Sequence, residues 1–220
     1  MNHNTNYSWS PKLAYAIGLI TSDGSLSKDK RHIDFTSNDL QLLKTFKRCL
    51  LLKNKVCIKS NPYKFKNKSY HVQFGNVKFY NWLLKIGLMP NKTHYLGKMD
   101  IPKRYFRDFL RGHLDGDGSI FTYIDRYMQY KGKRYTYDRL YTGFNSASVK
   151  HLKWIQTNIR KALHIKGALT SYLKKDRKCP IWNLRFSKKD SLRLLSWLYY
   201  KPNLPCLNRK RKIAERFIKK

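Results

Sequence analysis

Apolar and polar positions along this 220-residue chain follow two rhythms: a helical one, with apolar residues three and four apart, and a strand one that alternates. The helical rhythm opens over 11–22, with Ser10 placed as N-cap and Pro11 at the first helical position. A hairpin turning near Lys28-Asp29-Lys30 follows, and its return strand alternates Ile33 and Phe35 with His32, Asp34 and Thr36. Asn38 or Asp39 then caps a helix over 40–51. Strands over 55–61 and 69–75 come next. In the first, Val56 and Ile58 oppose Cys57, Lys59 and Asn61; in the second, Tyr70, Val72 and Phe74 oppose His71 and Gln73. A helix over 77–86 stops at Gly87.

The same order is then replayed. It runs as a helix over 103–116, a longer hairpin over 119–145 turning near Lys131-Gly132-Lys133, a helix over 149–163, and strands over 168–174 and 181–187. The last strand alternates Trp182, Leu184 and Phe186 with Asn183 and Arg185. A helix over 190–199 and a basic tail entering a final helix complete the chain. The pattern predicts an α+β fold of two αββαββα repeats, 11–98 and 99–220, each a small antiparallel sheet with helices on one face and the other face bare.

Two short stretches anchor the repeats. Gly18-Leu19-Ile20-Thr21-Ser22-Asp23-Gly24-Ser25 recurs, a little under half the chain later, as Gly112-His113-Leu114-Asp115-Gly116-Asp117-Gly118-Ser119. Each ends a predicted helix, and each carries small residues four apart, Gly18/Ser22 and Gly112/Gly116. Positions four apart share a helix face, and small side chains there let two helix backbones approach closely. Packing through those faces would bring Asp23 and Asp117 side by side. The segment Asp115-Gly116-Asp117-Gly118-Ser119-Ile120 also contains the D-x-D-G-x-I of a calcium loop, but His113 and Ile124 occupy the loop's acidic first and last positions.

Charge narrows the function. Lys and Arg number 47 against 13 Asp and Glu, a net +34, which calls for a polyanionic partner. Nucleic acid leads, because basic side chains neutralise phosphates and release counterions; an anionic membrane surface is second. No apolar run approaches the ~20 residues of a membrane span, and 1–10 lacks a signal-peptide core. A hydrophobic share of 41% is enough for a packed core. Four cysteines without C-x-x-C spacing read as reduced thiols. The expectation is an intracellular protein, in a prokaryotic cytoplasm or an organelle matrix, and not a secreted one. The many Tyr and Phe read as sheet packing.

With these residues in view, the chain resembles the LAGLIDADG homing endonucleases, in the intron-encoded, single-chain form with two motif copies. Thr21 stands for the motif's first Asp, His113 for a Leu and Gly116 for an Ala. The resemblance spans roughly 11–215. It implies a monomer whose two sheets form a DNA-binding saddle, and a hydrolase that cuts both strands of a long, imperfect palindrome across the minor groove, leaving short 3′ overhangs. It implies magnesium held by Asp23 and Asp117 with the carbonyls of Ser22 and Gly116, calcium supporting binding only, and Lys92 and Lys210 as further catalytic residues. Base-reading residues would be His32, Asp34, Lys59, Asn61, His71 and Gln73 in the first repeat. In the second they would be Arg139, Tyr141, Thr170, Tyr172, Lys174, Asn183 and Arg185. An RNA-splicing maturase or a catalytically inactive DNA-binding protein on the same fold is the alternative.

Overall fold

The computed structural model describes residues 7–59, 69–173 and 179–218. The first repeat runs α1 (Pro11–Asp23), β1 (Gly24–Leu26), β2 (His32–Ser37), α2 (Leu40–Leu50), β3 (Cys57–Lys59), β4 (Ser69–Gly75) and α3 (Val77–Lys85). The second runs α4 (Phe106–Asp115), β5 (Gly118–Tyr130), β6 (Lys133–Ser146), α5 (Val149–Leu163), β7 (Ala168–Tyr172), β8 (Ile181–Phe186), α6 (Lys188–Leu198) and α7 (Asn208–Ile218).

Caps set several of these bounds. Ser10 Oγ accepts the Leu13 N–H at 3.1 Å, and Asp39, rather than Asn38, accepts the Gln41 N–H at 2.9 Å. Two helix starts differ from the sequence reading. The stretch expected to be helical from 103 begins as a 3-10 turn, Lys103–Tyr105. No side chain caps it, and the Pro102 carbonyl accepts the Tyr105 N–H at 2.9 Å instead. Helix α6 starts earlier than 190 because the Ser187 carbonyl already accepts the Ser191 N–H at 2.7 Å.

Two four-stranded antiparallel sheets result, with orders β1-β2-β4-β3 and β5-β6-β8-β7. In the first, Asp34 pairs with Gln73 and Thr36 with His71; in the second, Asn145 pairs with Asn183 and Gly143 with Arg185. Directly paired residues point to the same face. The inner face therefore takes Ile33, Phe35, Val72 and Phe74 in one sheet and Leu140, Phe144, Leu184 and Phe186 in the other, all buried. Phe46 of α2 lies with its ring centroid 4.5 Å from that of Phe35. The β5–β6 ribbon turns through Lys131 (φ 49°) and Gly132 (φ 74°), a two-residue link whose left-handed backbone suits a hairpin.

Helices α1 and α4 meet at Gly18 and Gly112. A β-carbon on Gly18 would stand 2.1 Å from the Phe109 carbonyl oxygen, so only glycine permits this approach. Each repeat also holds the loop that trails the other. Ser148 Oγ and His151 Nδ1, at the start of α5, bond the carbonyls of Leu96 (2.5 Å) and Gly97 (2.9 Å). Gln41, at the start of α2, bonds the Cys206 carbonyl and the Asn208 N–H, both at 2.9 Å. The buried Arg111–Asp108 pair (2.8 Å) adds bonds from Arg111 to the Leu198 and Pro205 carbonyls, pinning the loop before α7 onto α4. A buried ion pair stabilises only when its remaining hydrogen-bonding capacity is met, as it is here.

Candidate active site

The close approach of α1 and α4 carries their C-terminal ends to one place, and the two acidic residues emerge there. Gly116 fits beneath them for the same steric reason as Gly18: a β-carbon on it would lie 1.9 Å from Ser22 Oγ and 2.6 Å from Asp23 Oδ2. Both carboxylates reach solvent, yet protein hems them in. Burial, followed by the negative charge of Asp117, pushes the Asp23 pKa up to about 6. Burial also raises that of Asp117, with Lys92 and Lys210 opposing. Asp23 opens onto a polar hollow that Thr36, Asn38, Asp39, Gly116 and Arg209 also line.

The two lysines stand in matching places. Lys92 Nζ donates to the carbonyl oxygens of Ser22 (3.3 Å) and Gly24. Lys210 Nζ donates to the corresponding carbonyls of Gly116 (3.3 Å) and Gly118 (2.7 Å), and also to those of Leu114 (2.6 Å) and Asp115 (2.9 Å). The basic run 209–212 leaves the position of this lysine open in the sequence; the geometry puts Lys210 there, 4% exposed. Burial lowers the Lys92 pKa and lowers that of Lys210 to about 8. The exchanged loops explain the placement, since Lys92 precedes the Leu96–Gly97 segment held by α5 and Lys210 lies in the first turn of α7, held by α2.

The repeats are not equivalent at the first acidic position of the motif. Asp115 is buried and its Oδ2 accepts from both Tyr15 OH and the Leu207 N–H, each at 2.7 Å. Thr21, its counterpart, donates to the Ile17 carbonyl at 2.7 Å. Asp115 thus ties α4 to α1 and to the start of α7.

On the outer face of the first sheet lie His32, Asp34, His71, Gln73 and Lys59. Asp34 gathers Lys59 Nζ (3.3 Å) and His71 Nδ1 (2.9 Å), while His32 Nδ1 meets Asp29 (2.5 Å). On the outer face of the second lie Arg139, Tyr141, Thr170, Tyr172, Asn183 and Arg185. Arg139 is paired with Asp125 (2.9 Å), and the Arg185 guanidinium sits 5.0 Å from the Tyr141 ring centroid. Asn61 and Lys174 fall outside the described residues.

One expectation needs correction. The aromatic residues pack the inner faces as expected in much of the chain, but along β5 and β6 several point outward: Phe121 is 57% and Tyr123 43% exposed. The signal was present, because Phe121 and Tyr123 keep the strand phase of Ser119, opposite to buried Ile120. Asn145, which shares that face and bonds Asn183 at 2.7 Å, was also missed.

The donor set is all oxygen: two carboxylates and nearby backbone carbonyls. Among the described residues no three His, Cys, Asp or Glu side chains converge. Two crowded carboxylates with carbonyls suit a hard cation such as magnesium or calcium. Among the described residues no helix is long and apolar enough to cross a membrane.

Comparison with known proteins agrees with this fold. Residues 10–86 match the model of the LAGLIDADG-like domain. An uncharacterized protein of Methanocaldococcus jannaschii is 28% identical over 119 residues, 52% of this chain and 44% of its own length, so the chain spans less than half of that relative. Among solved structures, the meganuclease I-AabMI bound to uncleaved DNA aligns with a TM-score of 0.59 at 16% identity, over 96% of this chain and 90% of that one. I-SmaMI bound to cleaved DNA aligns at 0.57 and 12%, over 96% and 88%. Full-length DUF199/WhiA from Thermatoga maritima aligns at 0.55 and 15%, over 96% of this chain but 63% of that protein. At these identities the structures speak for the fold. The first repeat thus matches a LAGLIDADG-like domain, and the chain as a whole shares the two-repeat fold of these structures.

Proposed function

We propose that this chain, working as two repeats over 11–98 and 99–220, is a site-specific double-strand DNA endonuclease. The observation that carries the reading is the paired site: Asp23 and Asp117 meet at the end of the α1–α4 seam, each beside carbonyls bound by a lysine, Lys92 or Lys210. Two crowded carboxylates in a chain of net charge +34 favour metal-assisted chemistry over DNA binding alone. The neighbours whose structures hold DNA support the partner.

Asp23 and Asp117 would hold magnesium with the Ser22 and Gly116 carbonyls. When bound, the ion supplies Lewis-acid polarisation of the phosphodiester and stabilises the leaving oxygen. Lys92 and Lys210 would order the water or offset developing negative charge. Arg209, at the rim of the polar hollow and 3.5 Å from Asp39, is placed to grip a flanking phosphate. The outer faces of both sheets read base edges in the major groove, which admits β-ribbons. One chain supplies both half-sites, so the active form is a monomer in an intracellular, DNA-containing compartment.

The test is digestion of a randomised plasmid library in magnesium, with sequencing of the ends. Recurrent cuts around one long sequence, lost in Asp23→Asn, establish the activity. Sequence-selective binding with no cuts by the wild type assigns the chain to the DNA-binding proteins instead.

A further inference from the structure

The two outer faces differ in chemistry. In the first sheet the central positions are polar and bonded to one another: Asp34 with Lys59, His71 and Thr36. Strand β1 ends at Leu26. In the second, β5 runs on to Tyr130, and the face carries a shallow hollow bounded by Phe121, Tyr123 and Tyr141, with Asn183 and Arg185 at its side. The rings of Phe121 and Tyr123 lie 5.6 Å apart, and those of Tyr123 and Tyr141 stack at 6.3 Å. Gly143 forms the floor. A β-carbon there would stand 3.2 Å from both the Asn183 amide nitrogen and Ser119 Oγ, so any side chain would fill the hollow.

Three aromatic walls around an open floor, flanked by an amide and a guanidinium, present two kinds of recognition side by side. Asn183 and Arg185 offer hydrogen bonds of the type adenine and guanine edges take. The walls offer none that discriminates at their ring faces, only apolar surface. In the major groove the apolar group that varies with sequence is the C5-methyl of thymine. Resting on the endonuclease reading above, we propose that the second repeat recognises its half-site through thymine methyl groups seated among Phe121, Tyr123 and Tyr141, while the first repeat relies on hydrogen bonds. The rings also stabilise the ribbon by cross-strand contact, which is why the test alters the DNA before it alters the protein.

The full chain is used to select duplexes from a random pool made with thymine, and the selected sequence is resynthesised with uracil replacing thymine in one half-site at a time. Uracil keeps every hydrogen-bonding group and removes only the methyl. A buried methyl is worth about fourfold in affinity, so uracil in the half-site read by the second repeat weakens binding about fourfold to fifteenfold for one or two methyls. Uracil in the other half-site leaves binding unchanged. In Phe121→Ser/Tyr123→Ser the first penalty disappears, while base preference in the first half-site persists. A selected sequence that binds equally well with uracil in either half-site overturns the proposal and leaves the endonuclease reading standing. A pool from which no sequence is enriched overturns both.

Discussion

Gly18 and Gly112 stand back to back: a β-carbon on Gly112 would lie 3.2 Å from the Gly18 Cα and 2.1 Å from the Tyr15 carbonyl oxygen. The separation of α1 and α4, and with it that of Asp23 and Asp117, is therefore fixed by two missing side chains. Gly112→Ala raises helix propensity by about 1 kcal/mol, yet it drives a methyl into backbone that cannot swing aside. The expected outcome is net destabilisation of about 1–3 kcal/mol and loss of cleavage. Thermal melts and cleavage assays check it; an alanine variant as stable and active as the wild type would show that the helices can part without harm.

The Asp pair trades stability for chemistry. The folded pKa of Asp23, about 6, lies above the ordinary carboxylate value near 4. Folding therefore favours the protonated form, and in metal-free buffer the Asp23 contribution to stability is greatest below pH about 4 and declines as pH rises toward about 6. Asp23→Asn removes that decline, so its melting temperature at pH 8 exceeds that of the wild type. Magnesium raises the wild-type melting temperature and not that of the variant, cleavage is abolished, and DNA affinity stays within about tenfold because phosphate contacts dominate it. Full cleavage by both Asp23→Asn and Asp117→Asn would remove the site proposed here.

Lys92 and Lys210 are expected to separate on stability. Lys210 serves four carbonyls at the junction of α4 and β5, whereas Lys92 serves two, those of Ser22 and Gly24. Losing a buried donor costs about 1–3 kcal/mol in unsatisfied acceptors. Lys210→Met falls at the upper end of that range and Lys92→Met at the lower, while both cut the single-turnover rate. Equal melting temperatures would mean that the Lys210 bonds contribute nothing net.

A second titrating pair works in the opposite sense to Asp23. His113 occupies a motif position that elsewhere holds Leu, and its ring stacks on that of His151 with centroids 5.2 Å apart. Both are buried, and among the described residues His113 Nδ1 and His151 Nε2 have no hydrogen-bond partner. Burial lowers the His113 pKa well below 6.5, and that of His151 to about 4. Their contribution is intact above pH about 6.5 and lost as pH falls toward about 4. His113→Leu is thus expected to melt later than the wild type at pH 5, with a smaller difference at pH 8. A difference that does not change with pH would assign the gain to packing alone.

Much of this was legible because strand alternation and the doubled motif are local signals. A cap at Asn38 or Asp39, the Lys131–Gly132 turn and the inward Ile33 and Phe35 follow from rules spanning a few residues. What escaped depends on distance. Nothing local shows that Gln41 reaches the loop before α7, or that Asp115 is buried beneath Tyr15 and Leu207 while Asp117 reaches solvent. The outward aromatics were misjudged because hydrophobicity was read as burial, whereas strand phase puts Phe121 and Tyr123 on the face opposite buried Ile120.

Register in the second sheet gives the sharpest paired test. Leu184 faces inward, fully buried and paired with Phe144 and Leu169, while its neighbour Arg185 faces outward across from Gly143 and Ala168. Leu184→Ala removes core volume and costs about 2–5 kcal/mol, with base preference unchanged in the folded fraction. Arg185→Ala leaves the melting temperature nearly unaltered, since the side chain is exposed and rests against the Tyr141 ring. It relaxes preference at one or two adjacent base pairs, because an outward Arg can reach guanine O6 and N7, a contact worth about 1–3 kcal/mol of discrimination. Melts and a panel of single-base target variants read both effects. A one-residue slip would exchange them, so an Arg185→Ala protein that unfolds beside a Leu184→Ala protein altered only in base preference would place the DNA on the wrong face of this sheet.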